Sequence, residues 1–560
     1  MYIPDGEYIV KKAFKSLQAN SSIISSNNAW LVIPEGINAT LFHVRNGCYI
    51  KVNINGNALG RKSNSYGIAS SRSLKLEGCV IDGCKFKGLQ FGIRLVGANS
   101  TIIRNSFFYD MENSGVIIEA VDGTPCNNNI ITGNYFENMG DVAAAFFSQN
   151  DTPYSTEISH NIISNNVARN TQRITMGYAF DFETSGIANK FGNIFIGNTV
   201  EQTIKFDYAQ NGFVFANCKG GVIANNTYKG LDKSVSGANI GISVIHSDDV
   251  VVEGNYISDC GAGIVVGRSS NISISNNSLV DCGRTSFTFA AISLRPGYVL
   301  GKQSYENIKV QGNSIVFKDK IDDRGTVGIS TYIYNTDTSS GDNEYKNISI
   351  LDNTVQDYGE NGVCIMGHTD NFVKDVVISG NNFSTSSLLA TNNAAIRFNK
   401  VSYAQVRGNT LIDPGVLGIR ATEINTLVVD SNTIKKDIVE DRLTYYMIHP
   451  GSDSTSIVTN NYFEGLTQGG LLTVGGLDST IQNNIGYKTE ARGTVLDVVS
   501  GEVVRHGLTK AAINTQLTPT TADVVSFYAE KVDSRSFKIF YTLKDESLLT
   551  TASFEWVATA

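Results

Sequence analysis

The sequence predicts an all-β fold: a right-handed parallel β-helix, a solenoid of stacked coils, followed by a small C-terminal β-sandwich. Three observations predict it. One short motif returns along most of the chain, its apolar positions alternate with period two, and helical periodicity is nearly absent.

The motif is apolar, any, apolar, then two small or polar residues of which the second is asparagine, then any, apolar. It reads IIRNSFF at Asn105, IITGNYF at Asn134 and IISNNVA at Asn166. FIGNTV at Asn198, VIANNTY at Asn226, VVEGNYI at Asn255 and ISISNNSL at Asn277 follow. Later copies centre on Asn313, Asn353, Asn382, Asn409, Asn432, Asn461 and Asn484, fourteen in all. The shortest spacing is 22 residues, enough for three short strands and three turns; longer spacings place extra residues in a turn. Asparagine suits a left-handed turn, and stacked amides can bond as a ladder. A second strand follows each asparagine by about ten residues, for example SGVIIEA, GYAFDFET, NGFVFAN, IGISVIHS and GAGIVVGR. Cys260 and Cys282 fall at the same place in successive coils and should stack.

Residues 1–30, with the helix candidate KKAFKSLQ, are expected to cap the helix, 31–490 to form it, and 491–560 to form the sandwich, for trimerisation or glycan binding. The chain is 41% hydrophobic and 18% charged, so it can bury a core. A net charge of −8 without basic runs argues against nucleic acid. No apolar stretch is long enough to span a bilayer, and MYIPDGEYIVKK lacks the apolar region of a signal peptide. The eight cysteines form neither a disulfide framework nor a metal-ligand spacing, so reduced, buried cysteines are expected, with no metal and no cofactor.

IPDGEYIV resembles the IPxGxY strand that opens phage tailspikes and related pectate-lyase-like β-helices. The asparagine coils over about 31–488 and the tail elements HGL, VDSRSFKI and FEW resemble the same proteins. The resemblance implies a homotrimeric, receptor-binding capsule depolymerase on a virion tail. Its partners would be a bacterial surface polysaccharide, further copies of itself, and other tail proteins reached through an N-terminal segment not seen here. It also implies synthesis in the host bacterial cytoplasm. No catalytic motif is shared across the family, so no residue carries over by match.

The site must therefore be read from the residues. A filled β-helix core leaves chemistry to outward side chains. Connections after the second strand are long after Glu119, Phe147 and Glu183, short after Phe215, His246 and Gly267, and long again after Arg295 and Tyr332. That order suggests a groove with walls. In YAFDFET, inward Phe180 and Phe182 turn Asp181 and Glu183 outward, about 7 Å apart. Glu119 should face the same side. Glycoside hydrolysis uses two carboxylates roughly 5–10 Å apart, which makes Asp181 and Glu183 the catalytic candidates, with Glu119 in reserve. A solvated face or a trimer contact is the plainer alternative. A second constellation is His246, Asp248, Asp249 and Arg268: a histidine base and an arginine holding a sugar carboxylate would suit a β-eliminating lyase. An ordinary turn is the alternative there. Arg295, Arg397 and Arg420 suggest a positive stripe for an anionic glycan, or trimer salt bridges. Tyr298, Tyr332 and Tyr334 can stack on sugar rings. A non-catalytic adhesin of the same fold remains open.

Overall fold

The computed structural model describes all residues except 13, 15, 35–36, 57–64, 72–74, 122–123, 149–156, 180–189, 205–209, 232–238, 284–289, 296–303, 319–325, 333–343, 368–371, 386–393, 416, 437–445, 450–454, 465–479, 487–489, 507–511, 513, 534–535, 545–550 and 560. The chain divides into two compact units, Met1–Val377 and Ile378–Ala560.

In the first unit each coil contributes one strand to each of three parallel sheets. The coil around Asn255 runs Asp248–Glu253, Tyr256–Cys260 and Ala262–Gly267. Its neighbours pair in register: Val252 lies beside Ile223 and Ile274, Ile257 beside Tyr228 and Leu279, Ile264 beside Ile242 and Ile292. Alternate residues point inward and stack on the same position of the next coil, so Phe86, Phe108 and Phe136 form a buried ring column with centroids 4.9 and 4.8 Å apart. Cys260 and Cys282 sit in register with sulfurs 3.1 Å apart, and all eight cysteines are free and buried.

The asparagine row lies at the corner between the first and second sheets. Asn255 is representative. Its Nδ2 donates to Ile223 O of the preceding coil and to Asn277 Oδ1 of the next, while its Oδ1 accepts from Asn226 N and Nδ2. The same bonds link Asn134, Asn166, Asn198, Asn226, Asn255, Asn277, Asn313 and Asn353. The left-handed residue is not this asparagine but the one before it: Gly133, Asn165, Gly197, Asn225, Gly254, Asn276, Gly312 and Asp352 all have positive φ. This explains the motif's two small or polar residues, since the first must adopt the left-handed turn and the second must reach the next coil. Asn105 holds the turn position, and Ser106 takes the row position by donating its N–H to Asn134. A shorter row, Asn129, Asn161 and Asn193, occupies the corner between the third sheet and the next first sheet.

KKAFKSLQ is not helical among its described residues. Phe14 N donates to Leu41 O and Leu17 N to His43 O, and the Phe14 ring stacks on Phe42 at 4.9 Å. An isolated helix of two turns is marginal, whereas an open sheet edge offers ready backbone partners.

The second unit repeats the scheme with Asn381, Asn409, Asn432, Asn461 and Asn484. Asn381, not Asn382, is the row residue; Asn382 opens the following strand and is exposed. Two antiparallel three-stranded sheets follow. Glu490–Val498 and Asn514–Pro519 flank Ala552–Thr559, and Glu502–Arg505 and Val524–Lys531 flank Ser536–Leu543. They enclose Val498, Val504, Phe537, Ile539, Phe554 and Trp556, the expected sandwich.

Candidate functional site

Asp181, Glu183 and Tyr298 lie outside the described residues, as does the side chain of Tyr332, which ends the strand Val327–Tyr332. The remaining candidates fall in separate places.

Glu119 is not open to solvent. It is 4% exposed on the strand Ser114–Ala120, in register with Val96 and Phe147. Arg94 of the preceding coil donates Nε (2.9 Å) and Nη2 (2.7 Å) to its Oε1. Arg94 also lies over the stacked rings of Tyr66 and Phe91 and donates to the Tyr66 hydroxyl. Arg94 had no signal in the sequence, because its partner lies 25 residues away across a coil of irregular length. Glu119 Oε2 is buried without a hydrogen-bond partner among the described residues.

His246, Asp248, Arg268 and Arg295 do come together, at the corner where the third sheet turns into the next first sheet. Ile245, Gly267 and Arg295 are in register on adjacent strands. His246 and Arg268 therefore occupy the same corner position in successive coils, and Arg268 N donates to Arg295 O. Asn217 holds this position one coil earlier; all three have left-handed φ, 56°, 50° and 50°. Short connections follow them, because Ser247 and Ser269 turn inward. Ser247 Oγ accepts from Cys218 N, and Ser269 Oγ accepts from Ser247 N.

The outward residues of these strands, Val214, Ser243, Val265, Ser293 and Ser330, are small and buried, so the polar chemistry sits at the corner and not on the sheet face. Arg268 is 7% exposed. Its Nη1 lies 3.1 Å from His246 Nε2. A guanidinium has only donors, so Nε2 is the acceptor and the imidazole proton rests on Nδ1. Burial and the Arg268 charge hold His246 below the ordinary histidine range, which keeps it neutral. Arg268 Nη2 is buried without a hydrogen-bond partner among the described residues. Tyr305 and Tyr345, tilted at 39° with ring centroids 5.4 Å apart, lie within electrostatic reach of Arg268. Burial pushes the Tyr305 phenol up to about 12 and raises that of Tyr345, so neither supplies an anion. Asp248 Oδ1 accepts from Ser270 N, and Asp249 Oδ1 from Asn271 Nδ2: both carboxylates support the turn. Among the described residues Arg268 has no ion pair.

In the second unit Arg397 and Arg420 are in register on adjacent strands, and burial, then the Arg397 charge, lowers the Arg420 pKa. Among the described residues no cluster of histidine, cysteine, aspartate or glutamate could hold a metal. No described helix is long and apolar enough to cross a membrane.

The family model for the right-handed beta helix region matches residues 17–200, 234–401 and 394–507. The chain belongs to the right-handed β-helix family. No curated protein matches this β-helix by sequence. Among solved structures, the tailspike protein of E. coli bacteriophage HK620 in complex with a pentasaccharide is similar at 10% identity and a TM-score of 0.46, covering 96% of this chain and 86% of that one. The A-module of a mannuronan C-5 epimerase from Azotobacter vinelandii is similar at 14% identity and a TM-score of 0.36, covering 69% of this chain and 90% of that one. The catalytic unit of an α-1,3-glucanase from Streptomyces thermodiastaticus is similar at 13% identity and a TM-score of 0.38, covering 68% and 62%.

Proposed function

We propose that this β-helix protein is a tailspike depolymerase: a homotrimeric virion protein that binds and cleaves bacterial capsular polysaccharide or lipopolysaccharide O-chain. The observation that carries the reading is the corner at His246 and Arg268. It gathers a buried cation and a neutral imidazole 22 residues apart on successive coils, with two buried phenols on the coils that follow, where a purely structural turn needs none of them. A β-helix offers its outer corners to a chain-like ligand, and such a cluster of polar groups is what orients one.

Glycoside hydrolysis is the favoured reaction. Asp181 and Glu183, which the sequence pattern expects to face outward, are the acid and the base or nucleophile. The test is digestion of purified capsules and O-chains from a strain panel, assayed for new reducing ends. Asp181→Asn and Glu183→Gln should each cut turnover at least about 100-fold with glycan binding kept. Normal cleavage by both variants would remove these carboxylates from the mechanism.

The His246–Arg268 pair favours a second reading, β-elimination on a uronic-acid chain. The arginine would neutralise the carboxylate, His246 Nε2 would release Arg268 Nη1 and accept the C5 proton, and the C4 oxygen would leave with a proton from water as the C4–C5 double bond forms. New reducing ends accompanied by the ultraviolet absorbance of that conjugated bond would select it over hydrolysis.

A further inference from the structure

We propose that Arg268 is the anchor of an anion subsite that takes the carboxylate of an acidic sugar, so that the glycan this protein binds is anionic. The inference rests on the polysaccharide reading above and names the substrate class for it.

The first support is an unbalanced charge. Arg268 is a buried residue, and its guanidinium requires a partner, because burying a lone charge costs far more than burying a paired one. Nη1 reaches only a neutral ring nitrogen, and Nη2 has no partner among the described residues. The two carboxylates of this corner are engaged with Ser270 N and Asn271 Nδ2. Arg295, in register on the next strand, adds positive charge instead of cancelling it.

The second support is backbone conformation. Arg268 adopts a left-handed φ of 50° at a position that Asn217 fills earlier in the same column. Asparagine tolerates that conformation, whereas arginine does so at a cost of order 1–3 kcal/mol. Strain of this kind persists where a side chain must be held in one place.

The third support is the neighbouring acceptor. His246 Nε2 fixes one arm of the fork, which leaves Nη2 as the arm that can donate to an incoming carboxylate oxygen. Tyr305 and Tyr345, buried beneath the corner, are un-ionised and supply no competing anion. A carboxylate entering here would complete the ion pair that Arg268 lacks among the described residues.

The experiment uses the full chain in two arms. In the first, calorimetry measures binding of galacturonate and glucuronate oligosaccharides, with their carboxyl-reduced counterparts as neutral controls, to the native protein, Arg268→Met and Arg268→Lys. The native protein should bind an acidic probe, lose it on carboxyl reduction, and weaken roughly tenfold to a hundredfold on Arg268→Met. Arg268→Lys should recover only part of this, since lysine lacks the planar fork. In the second arm, the native protein alone is tested for cleavage of capsules before and after carboxyl reduction. This arm needs no variant to fold, and it separates a carboxylate from a sulfate or phosphate ester, which reduction leaves intact. Equal cleavage of native and reduced capsule overturns the anion subsite and leaves the depolymerase reading standing. Acidic probes that bind through Arg268, with no capsule cleaved, support the subsite and overturn the depolymerase reading. No binding of any acidic probe, or binding unchanged in Arg268→Met, overturns the subsite.

Discussion

Two corners of the same coils use the same backbone and reach opposite hydrogen-bond balances. At the asparagine corner, Asn225, Gly254 and Asn276 turn with φ of 53°, 63° and 55°, and every amide of the row behind them is paired. At the other corner, Asn217, His246 and Arg268 turn with φ of 56°, 50° and 50°, yet Arg268 Nη2 lies buried and unpaired among the described residues. Geometry alone therefore does not distinguish a scaffold corner from a functional one. The hydrogen-bond balance does: the first corner is closed, and the second keeps a buried donor without a partner among the described residues.

The sharpest way to break this comparison is to open the closed corner. Asn255→Leu strips acceptors from Asn226 N and Nδ2 and donors from Ile223 O and Asn277 Oδ1. We expect a loss of about 3–6 kcal/mol in denaturant unfolding; a loss below about 1 kcal/mol would mean that the row is ornamental.

The next effect has the opposite sign. Lys190, fully buried in the column that continues through Cys218, Ser247 and Ser269, donates Nζ to Ala216 O, and burial lowers its pKa to about 8 from 10.5. Below pH 8 the folded chain carries the whole desolvation penalty. Between pH 8 and 10.5 the folded state releases its proton before the unfolded state does, so stability from this group rises with pH. Lys190→Met should gain about 1–3 kcal/mol near neutral pH, less than the full shift because Ala216 O loses a donor. Its stability should be flatter across that window, and urea titrations at several pH values would show it.

Arg268→Met should leave stability unchanged or raise it by about 1 kcal/mol while glycan binding falls, the usual trade at a functional site. A large loss of stability would make this arginine a scaffold residue and merge the two corners. The smallest effect belongs to Asn271→Gly. It removes two exposed bonds, one donated to Asp249 and one accepted from Asn307, but keeps the left-handed turn, and a thermal melt should change by no more than about 0.5 kcal/mol equivalent.

The repeat was legible because burial forces period two and each turn demands a small or polar pair. What was not legible was which polar residue does which task. In RNS and GNN runs the turn and the row exchange places by one position, so Asn105 and Asn382 were expected in a row that Ser106 and Asn381 occupy. The three asparagines of NNNI hid a second row beginning at Asn129. His246, Asp248 and Arg268 were found because the coils joining them are short. The Arg94–Glu119 pair was missed because sequence alternation says which way a side chain points but not what the preceding coil brings over it.

The asparagine row also has a direction. From Asn134 to Asn313 one N–H of each side chain points to the asparagine of the following coil, while its oxygen faces the preceding one. Aligned amides reinforce one another, as peptide dipoles do along a helix. The column is thus an electrically polar wire that can be extended only head to tail. A nascent coil docks by offering an oxygen to the amide already in place, whereas a foreign row arriving head to head would set donor against donor. The residue that holds the coils together also gives their assembly an arrow.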